Sequence, residues 1–300
     1  MGTIPRFNPM QWNIPLPRRL APGGNRRAAR RPAFHRDPES RRAGFLPIAV
    51  FVAMVLTAPA RAETYFVSPA GGDANDCSQA APCKTIQAAA DKIAIGQAGS
   101  IVLADGEYQA GVSITHRRIV GIGGNCADPS RVRIMPGADE TAIEAQDGAV
   151  VGVTCLTCEA QDGADGARCF RSRQFAIIDY LNMRFGHMPG GGHVSADEIS
   201  KINCAGVVEI VGDAAYHASA SKGSAIDLNC TIAIDRPRAF RWFAIATARA
   251  IIDATRIAFT GGGAAATTGQ RYVVGGGTLI NAAAMPGSRG GEVKNGGVAQ

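Results

Sequence analysis

The 300-residue chain has few aromatic residues and no apolar run long enough to cross a membrane. Aromatic side chains make up 6% of the sequence, so a carbohydrate site built on a broad aromatic platform is not expected. The apolar stretch FLPIAVFVAMVL is shorter than the roughly 20 residues that a membrane-spanning helix needs. These two shortages argue against an integral membrane protein and against an aromatic sugar platform.

The folded part of the chain lacks an excess of positive charge, although the formal net charge of the whole sequence is +6. Residues 1–62 contain eleven Arg, no Lys and only two acidic residues, Asp37 and Glu39. Residues 63–300 contain 20 basic and 23 acidic residues. Because a nucleic-acid-binding surface needs clustered positive charge in the folded domain, we expect no nucleic-acid partner.

The leader at 1–62 combines a basic flank, a short apolar core and small residues, which is the pattern of an export signal. Arg41 and Arg42 precede the core, and Ala60 and Ala62 resemble an Ala-x-Ala cleavage site. The sequence therefore predicts cleavage near Ala62 and a secreted or periplasmic protein without a stable membrane span. An uncleaved anchor is the alternative.

All eight cysteines lie after the leader, and an even number in an exported chain predicts disulfides. Cys77 and Cys83 would close one short polar loop and are the first expected pair. Cys204 and Cys230 are expected to link two turns of the repeat described below. Zinc at the Cys-x-x-Cys motif of residues 155–158 is the alternative, but no second such motif follows.

Two ten-residue stretches are nearly the same, AIIDYLNMRF at 176–185 and AIIDATRIAF at 250–259. The related strings LTCEA, INCAG and LNCTI align with their central columns at spacings of 21–27 residues. Apolar and polar side chains alternate within the strings, which predicts strands, and strands that recur at this spacing predict a solenoid.

The composition of the repeat favours a parallel β-helix over other solenoids. In each period, β-branched and aromatic residues alternate with polar ones, and Gly-rich segments separate the strands. No period contains an amphipathic helix or the regular leucines of a leucine-rich repeat. We expect an all-β fold, a right-handed parallel β-helix over residues 63–282, followed by a Gly-rich tail at 283–300. The segment KTIQAAADKIA places apolar residues on one helical face, and it predicts a short N-terminal helix that caps the open end.

The alignment of the strings also predicts which side chains share a face. Side chains at equivalent positions of successive turns should form columns, which we call files. The inward file should contain Met183, Cys204 and Cys230, and the outward file should contain Asn182, Asn203 and Asn229. Outward amides and guanidinium groups can hydrogen-bond sugar hydroxyls. The glycan-binding candidates are therefore Asn182, Arg184, Asn203, Asn229 and Arg256. The alternative is that outward positions are polar in any solvated β-helix.

The segment TYFVSPAGGDANDCSQAAPCKTIQAAADKI, followed by IVLADGEY, resembles the N-terminal entry of the right-handed β-helix superfamily. That group includes pectate-lyase-like and pectin-esterase-like exported proteins. The resemblance implies a β-helix that contacts extracellular or envelope polysaccharide, with an acidic glycan as the expected partner. Because the superfamily hosts lyases, hydrolases, esterases and passive binders, the resemblance does not fix an activity.

Catalytic motifs of that superfamily are incomplete in this chain. Ala110 stands where pectin-esterase-like proteins have a glutamate, His187 is not followed by the glycine of the polygalacturonase-like hydrolases, and no Asp-Asp pair occurs. His116, His187, His193 and His217 are scattered, and we expect them at the surface. Binding without turnover is the expected function, and a structural surface or appendage protein is one alternative.

The other alternative is a calcium-dependent uronate polysaccharide lyase. Asp179 and Asp253 occupy the same position in the two decapeptides, and Asp227 holds a comparable one. If Asp227 and Asp253 stack on adjacent turns, their carboxylates can share Ca²⁺, with Lys201 or Arg256 as the base. Without a cation, repulsion should raise the pKa of one carboxyl. The competing interpretation is that each Asp forms a bend between strands.

Overall fold

The repeated strings fold into short strands that stack in three parallel sheets. The computed structural model describes residues 63–109 and 111–300, so the predicted export signal lies outside the described residues. The chain passes through sheet A, sheet B and sheet C in each turn, and these sheets contain ten, seven and eight strands. The predicted all-β, right-handed parallel β-helix is confirmed.

The strands are short, as expected where each turn bends at three corners. Sheet A contains β1 (Glu63–Val67), β2 (Ala98–Leu103), β5 (Ile119–Gly123), β8 (Val150–Thr154), β11 (Ile177–Leu181), β14 (Lys201–Ala205), β17 (Ala225–Asp227), β20 (Ile251–Asp253), β23 (Thr278–Ile280) and β25 (Val298–Ala299). Sheet B contains β3 (Gly106–Tyr108), β6 (Val132–Ile134), β9 (Thr157–Cys158), β12 (Arg184–Phe185), β15 (Val207–Ile210), β18 (Thr231–Ala233) and β21 (Ala258–Thr260). Sheet C contains β4 (Val112–Ile114), β7 (Thr141–Ala145), β10 (Arg168–Ser172), β13 (Met188–Ala196), β16 (Ala214–Ala220), β19 (Ala239–Thr247), β22 (Thr268–Gly275) and β24 (Glu292–Lys294).

One α-helix, α1 (Ile86–Lys92), caps the N-terminal end of the described solenoid. The Thr85 hydroxyl accepts a hydrogen bond from the Ala88 amide at 3.2 Å, as an N-cap residue does. The helix buries its apolar face and contacts β1, β2 and β4, the first strands of sheets A and C. Three short 3₁₀ helices lie at Pro129–Arg131, Ala264–Ala266 and Ala282–Ala284. Within the described residues, no helix has the length and apolar character needed to cross a membrane.

The register between turns differs from the alignment of the five strings, which corrects both predicted files. Cys204 lies opposite Tyr180 and not at the level of Met183, and Asn203 lies opposite Asp179 and Asp227. Met183 lies past the corner that leads into sheet B. Similar strings therefore lie at different places within a turn. Alternation shows which face of a strand is buried, but it does not show to which sheet the strand belongs.

The burial of the predicted inward residues is nevertheless confirmed. Met183, Cys204 and Cys230 are all buried. Asn182 is exposed and forms the corner itself, with φ of 52°, a left-handed conformation that Asn tolerates better than most residues. Asn182 and Asn229 lie at the A-to-B corner, whereas Asn203 lies within sheet A opposite Asp227, so the three do not form one outward file.

The chain contains four disulfides and no free cysteine among the described residues. The bonds are Cys77–Cys83, Cys126–Cys155, Cys158–Cys169 and Cys204–Cys230. Both predicted pairs are present. The two cysteines of the Cys-x-x-Cys motif each belong to a disulfide, so the zinc alternative is wrong.

The Gly-rich segment after residue 282 continues the β-helix, which corrects the predicted boundary. β24 pairs with β22, and β25 pairs with β23, both in parallel. Between these strands, Gly287 and Gly296 have positive φ values of 148° and 72°, which glycine adopts without a steric penalty. Few large apolar residues are needed here because the strands are only two or three residues long.

Two of the histidines expected at the surface are buried in the core. His193 and His217 are 0% exposed, and their Nδ1 atoms lie 3.0 Å apart. His193 Nε2 lies 3.1 Å from the Gly186 carbonyl oxygen and must donate to it. In the neutral pair, His217 Nδ1–H therefore donates to His193 Nδ1, which leaves His217 Nε2 buried without a partner among the described residues.

Aromatic neighbours explain why these imidazoles are tolerated in the core. The His193 ring stacks on Phe185 at 5.0 Å between centroids, and the His217 ring stacks on Phe243 at 4.9 Å. Burial lowers the pKa of His193 to about 4 and that of His217 well below its usual value. Both rings are therefore neutral at pH 7, and they pack as aromatic residues.

We predict that removal of the Cys204–Cys230 bond costs more stability than removal of the Cys77–Cys83 bond. The first closes a loop with a sequence separation of 26 residues and the second one of 6 residues. Loop-closure entropy gives losses of about 3–4 and about 2 kcal/mol for paired Cys→Ala variants. Urea unfolding measures both losses. Equal stability of wild type and both variants, or free thiols in the non-reduced protein, would contradict the prediction.

We predict that the protein loses stability as the pH falls from about 6.5 towards 4. The pKa of His193 is lowered in the folded state, so the unfolded state binds the proton more tightly, and acid favours unfolding. The difference amounts to about 3 kcal/mol for His193 alone. Replacement of both His193 and His217 by Phe should flatten the profile of melting temperature against pH in this window. His116→Gln, at an exposed position, is the control, and an unchanged slope in the double variant would refute the assignment.

Candidate functional site

The acidic candidates predicted from the repeat lie together on the outer face of sheet A. Asp179 lies opposite Asn203, Asn203 opposite Asp227, and Asp227 opposite Asp253. These four residues form one column on successive turns, which we call the Asp column. Asp227 and Asp253 are therefore direct neighbours, and Asp179 lies two turns from Asp227.

The carboxylates of the Asp column already accept hydrogen bonds from the chain. Asp227 Oδ1 accepts from the Asn229 amide at 2.8 Å, and Asp253 Oδ1 accepts from the Thr255 amide at 2.9 Å. Both contacts are Asx turns at the bend after the strand. Asp179 Oδ1 accepts from Asn203 Nδ2 at 2.6 Å.

The expected repulsion between Asp227 and Asp253 does not raise the pKa of Asp253. Hydrogen bonds from the Thr255 hydroxyl and amide lower the pKa of Asp253, and Asn229 and Arg256 act in the same direction, against a smaller effect of burial. The bend interpretation therefore describes the observed contacts. Among the residues that the structure describes, no group of three or more His, Cys, Asp or Glu side chains is arranged to hold a metal ion.

The remaining candidates are distributed over two sheets and their corners. Lys201 lies on sheet A, two residues before Asn203. The Arg256 amide donates to Asn229 Oδ1 at 2.6 Å, so these two residues are neighbours at the A-to-B corner. Arg184 lies on sheet B, where its Nε is 2.8 Å from Glu209 Oε2. The five glycan-binding candidates thus lie on sheet A, on sheet B and at the corner between them.

The outer face of sheet C carries a cluster of charged side chains that the sequence analysis did not identify. Arg171 lies between two carboxylates, 3.9 Å from Glu144 and 3.4 Å from Asp197. Arg173 Nε lies 3.1 Å from Glu144, and its Nη2 donates to Gln146 Oε1 at 2.6 Å. The side chains of the four charged residues are 19–32% exposed, so the cluster is accessible from solvent.

The same face carries two aromatic side chains in register on adjacent strands. Tyr216 on β16 lies opposite Trp242 on β19, so their backbones are about 4.8 Å apart. Both side chains are partly exposed. Arg241 lies over the Trp242 ring at 4.1 Å from its centroid, a cation–π contact. We call Tyr216 and Trp242 the aromatic pair.

A glycine makes room for the aromatic pair. Gly192 lies opposite Tyr216 on β13, and a Cβ atom at position 192 would lie 2.1 Å from the Tyr216 ring. The ring therefore lies flat over the Gly192 backbone. Gln270 lies opposite Trp242, one turn after the pair. Arg168 lies opposite Gly192, on the other side of the pair. Two partly exposed aromatic side chains therefore stand in one column, with hydrogen-bond donors on both sides of the pair.

The chemistry of this face suits a sugar chain. An aromatic ring offers an apolar face to the C–H groups of a sugar ring, while guanidinium and amide groups donate to hydroxyl and carboxylate oxygens. The small number of aromatic residues led to the expectation of no aromatic sugar platform, and the pair was therefore missed. A usable signal was present, since Tyr216 and Trp242 are 26 residues apart, which is one period of the repeat.

Comparisons with known proteins give one structural similarity. No protein-family model matches the chain, and no curated protein matches it. The crystal structure of Escherichia coli YbhC is similar, with a TM-score of 0.47 and 14% sequence identity, over 81% of this chain and 86% of that chain. At this level the similarity carries no argument about activity.

Proposed function

We propose that this protein is an exported β-helix that binds polysaccharide on the outer face of sheet C without cleaving it. The observation that carries the proposal is the aromatic pair: Tyr216 and Trp242 lie in register on adjacent strands of a parallel sheet, and the Tyr216 ring lies over the Gly192 backbone. A rigid platform lowers the entropy cost of binding, because its side chains are ordered before the ligand arrives.

The charged cluster on the same face supports an acidic glycan as the partner. Arg171 and Arg173 are donors for carboxylate oxygens, and Arg168 lies in the same column as the aromatic pair, opposite Gly192. Glu144 and Asp197 can accept from sugar hydroxyls. Each of these two carboxylates is ion-paired with an arginine, and this cluster contains no pair of unpaired carboxylates of the kind that glycoside hydrolysis uses. The arrangement therefore favours binding over hydrolysis.

The disulfides support the exported location. Four disulfides in a chain of this size are typical of secreted and periplasmic proteins, because the cytosol keeps thiols reduced. The basic leader with its Ala-x-Ala-like site supports the same proposal from the sequence.

We predict that Trp242→Ala and Tyr216→Ala each weaken polysaccharide binding by about tenfold or more, as loss of a central aromatic contact commonly does. Phe175→Ala is the matched control, because Phe175 is 68% exposed and lies outside sheet C, at the corner that leads from sheet C to sheet A. Affinity electrophoresis in oligogalacturonate, alginate and a neutral glucan measures the effect. Binding that is equal in all four proteins, or no binding to any of the glycans, would contradict the proposal, and release of unsaturated uronate would show turnover.

Calcium-dependent lyase activity is a second candidate, because Asp227 and Asp253 are direct neighbours on sheet A. In that case Ca²⁺ should raise the melting temperature, since it bridges two carboxylates that otherwise repel. The rise should vanish in Asp227→Ala and persist in Asp162→Ala, an exposed acidic control. Lys201→Ala and Arg256→Ala would then identify the base. A melting temperature that does not respond to calcium would exclude this candidate.

A further inference from the structure

A cleft on the opposite side of the B-to-C corner from the aromatic pair collects three arginines. It has a volume of about 240 Å³. Its polar lining consists of Arg184, Glu209, Asp235, Arg236 and Arg238. Two of the five are acidic, so positive charge is in excess in the cleft.

Two of the arginines have no acidic partner among the described residues. Arg184 is ion-paired with Glu209, but neither Arg236 nor Arg238 lies within 4 Å of a carboxylate. The Nε of Arg238 is buried and has no hydrogen-bond acceptor in the described part of the chain. A buried guanidinium donor without an acceptor is unfavourable, because the group has lost water and gained nothing in exchange.

The loop that carries these arginines is held rigidly. Pro237 separates Arg236 from Arg238, and the Ala239 amide donates to Asp213 Oδ1 at 2.8 Å. The next turn packs Gly261 and Gly263 against the loop, where a Cβ atom would lie 2.5 Å from the Ile234 carbonyl oxygen and 2.3 Å from the Arg236 backbone. Only glycine permits this approach. The arginines therefore start from a fixed backbone.

We propose that this cleft is a binding site for an oxyanion, a carboxylate, sulfate or phosphate group held by Arg236 and Arg238. A guanidinium group presents a planar fork of donors that matches two oxygens of such a group. Glu209 and Asp235 lie at the same cleft and accept hydrogen bonds from hydroxyls beside the anionic group. The site is separate from the proposed polysaccharide surface, because none of its lining residues belongs to the aromatic pair or to the charged cluster of sheet C.

The test uses small probes, so that its outcome is independent of polysaccharide binding. Sodium sulfate, sodium phosphate and sodium glucuronate are titrated into the full-length protein by calorimetry, each against sodium chloride at equal ionic strength. We expect at least one of the three oxyanions to bind where chloride does not. Arg236→Gln and Arg238→Gln should each weaken that binding by about tenfold, the usual effect of losing one charge-assisted hydrogen bond.

Two further variants make the result specific. Arg249→Gln, at an exposed turn, should leave binding unchanged, and Glu209→Gln should strengthen it, because it frees Arg184 and removes a competing negative charge. Arg236 is exposed, so its variant decides the matter if Arg238→Gln does not fold. The proposal is overturned if chloride equals the oxyanions, if Arg249→Gln weakens binding as much as Arg236→Gln, or if Glu209→Gln weakens it.

Discussion

The hydrogen-bonded register between successive turns is the constraint on which the rest of this structure depends. Each strand pairs in parallel with the equivalent strand one turn before and one turn after, and this pairing decides which side chains stand in one column. The Asp column, the aromatic pair and the charged cluster all arise from it. A shift of one residue in any strand would exchange its core and solvent faces.

The corners maintain this register. At the C-to-A corner, successive turns use two residues in left-handed conformation, and each turn donates a backbone hydrogen bond to the next. The Gly148 amide donates to Gln174 at 2.9 Å, and the Phe175 amide donates to Glu198 at 3.4 Å. Phe175 has a φ of 65°, which is unusual for a bulky residue and is maintained by its place in this ladder. Glycines have the complementary role at the B-to-C corner, where they allow the turns to approach each other closely.

The two proposed binding surfaces use the rigidity of this scaffold in different ways. On sheet C, a regular column lines up aromatic and charged side chains from several turns, which suits an extended ligand that contacts many turns at once. At the B-to-C corner, an irregular loop places two guanidinium groups in a small cleft, where neither has a carboxylate partner within the described part of the chain, which suits a compact anionic group. The buried histidines belong to neither surface, and they link the stability of the core to pH.

Much of the fold could be predicted from the sequence, because it depends on local patterns. The period of the strings and the alternation within each string predicted the β-helix, and the even number of cysteines predicted disulfides. The helical spacing of apolar residues in KTIQAAADKIA predicted the capping helix. The adjacency of Asp227 and Asp253 followed from the same repeat. These features need only that similar strings recur at the spacing of one turn.

The columns and the surfaces were decided by the tertiary structure. Turns differ in length, and Asn182 forms a corner instead of continuing a strand. Strings that look alike therefore need not lie opposite each other in the stacked turns. The burial of His193 depended on Phe185 and Gly186, and the position of the Tyr216 ring depended on the absence of a side chain at Gly192. Such contacts join residues of different turns or corners, and their geometry is fixed only when the turns are stacked. By itself the sequence determined the solenoid, whereas the stacking of its turns decided which side chains meet.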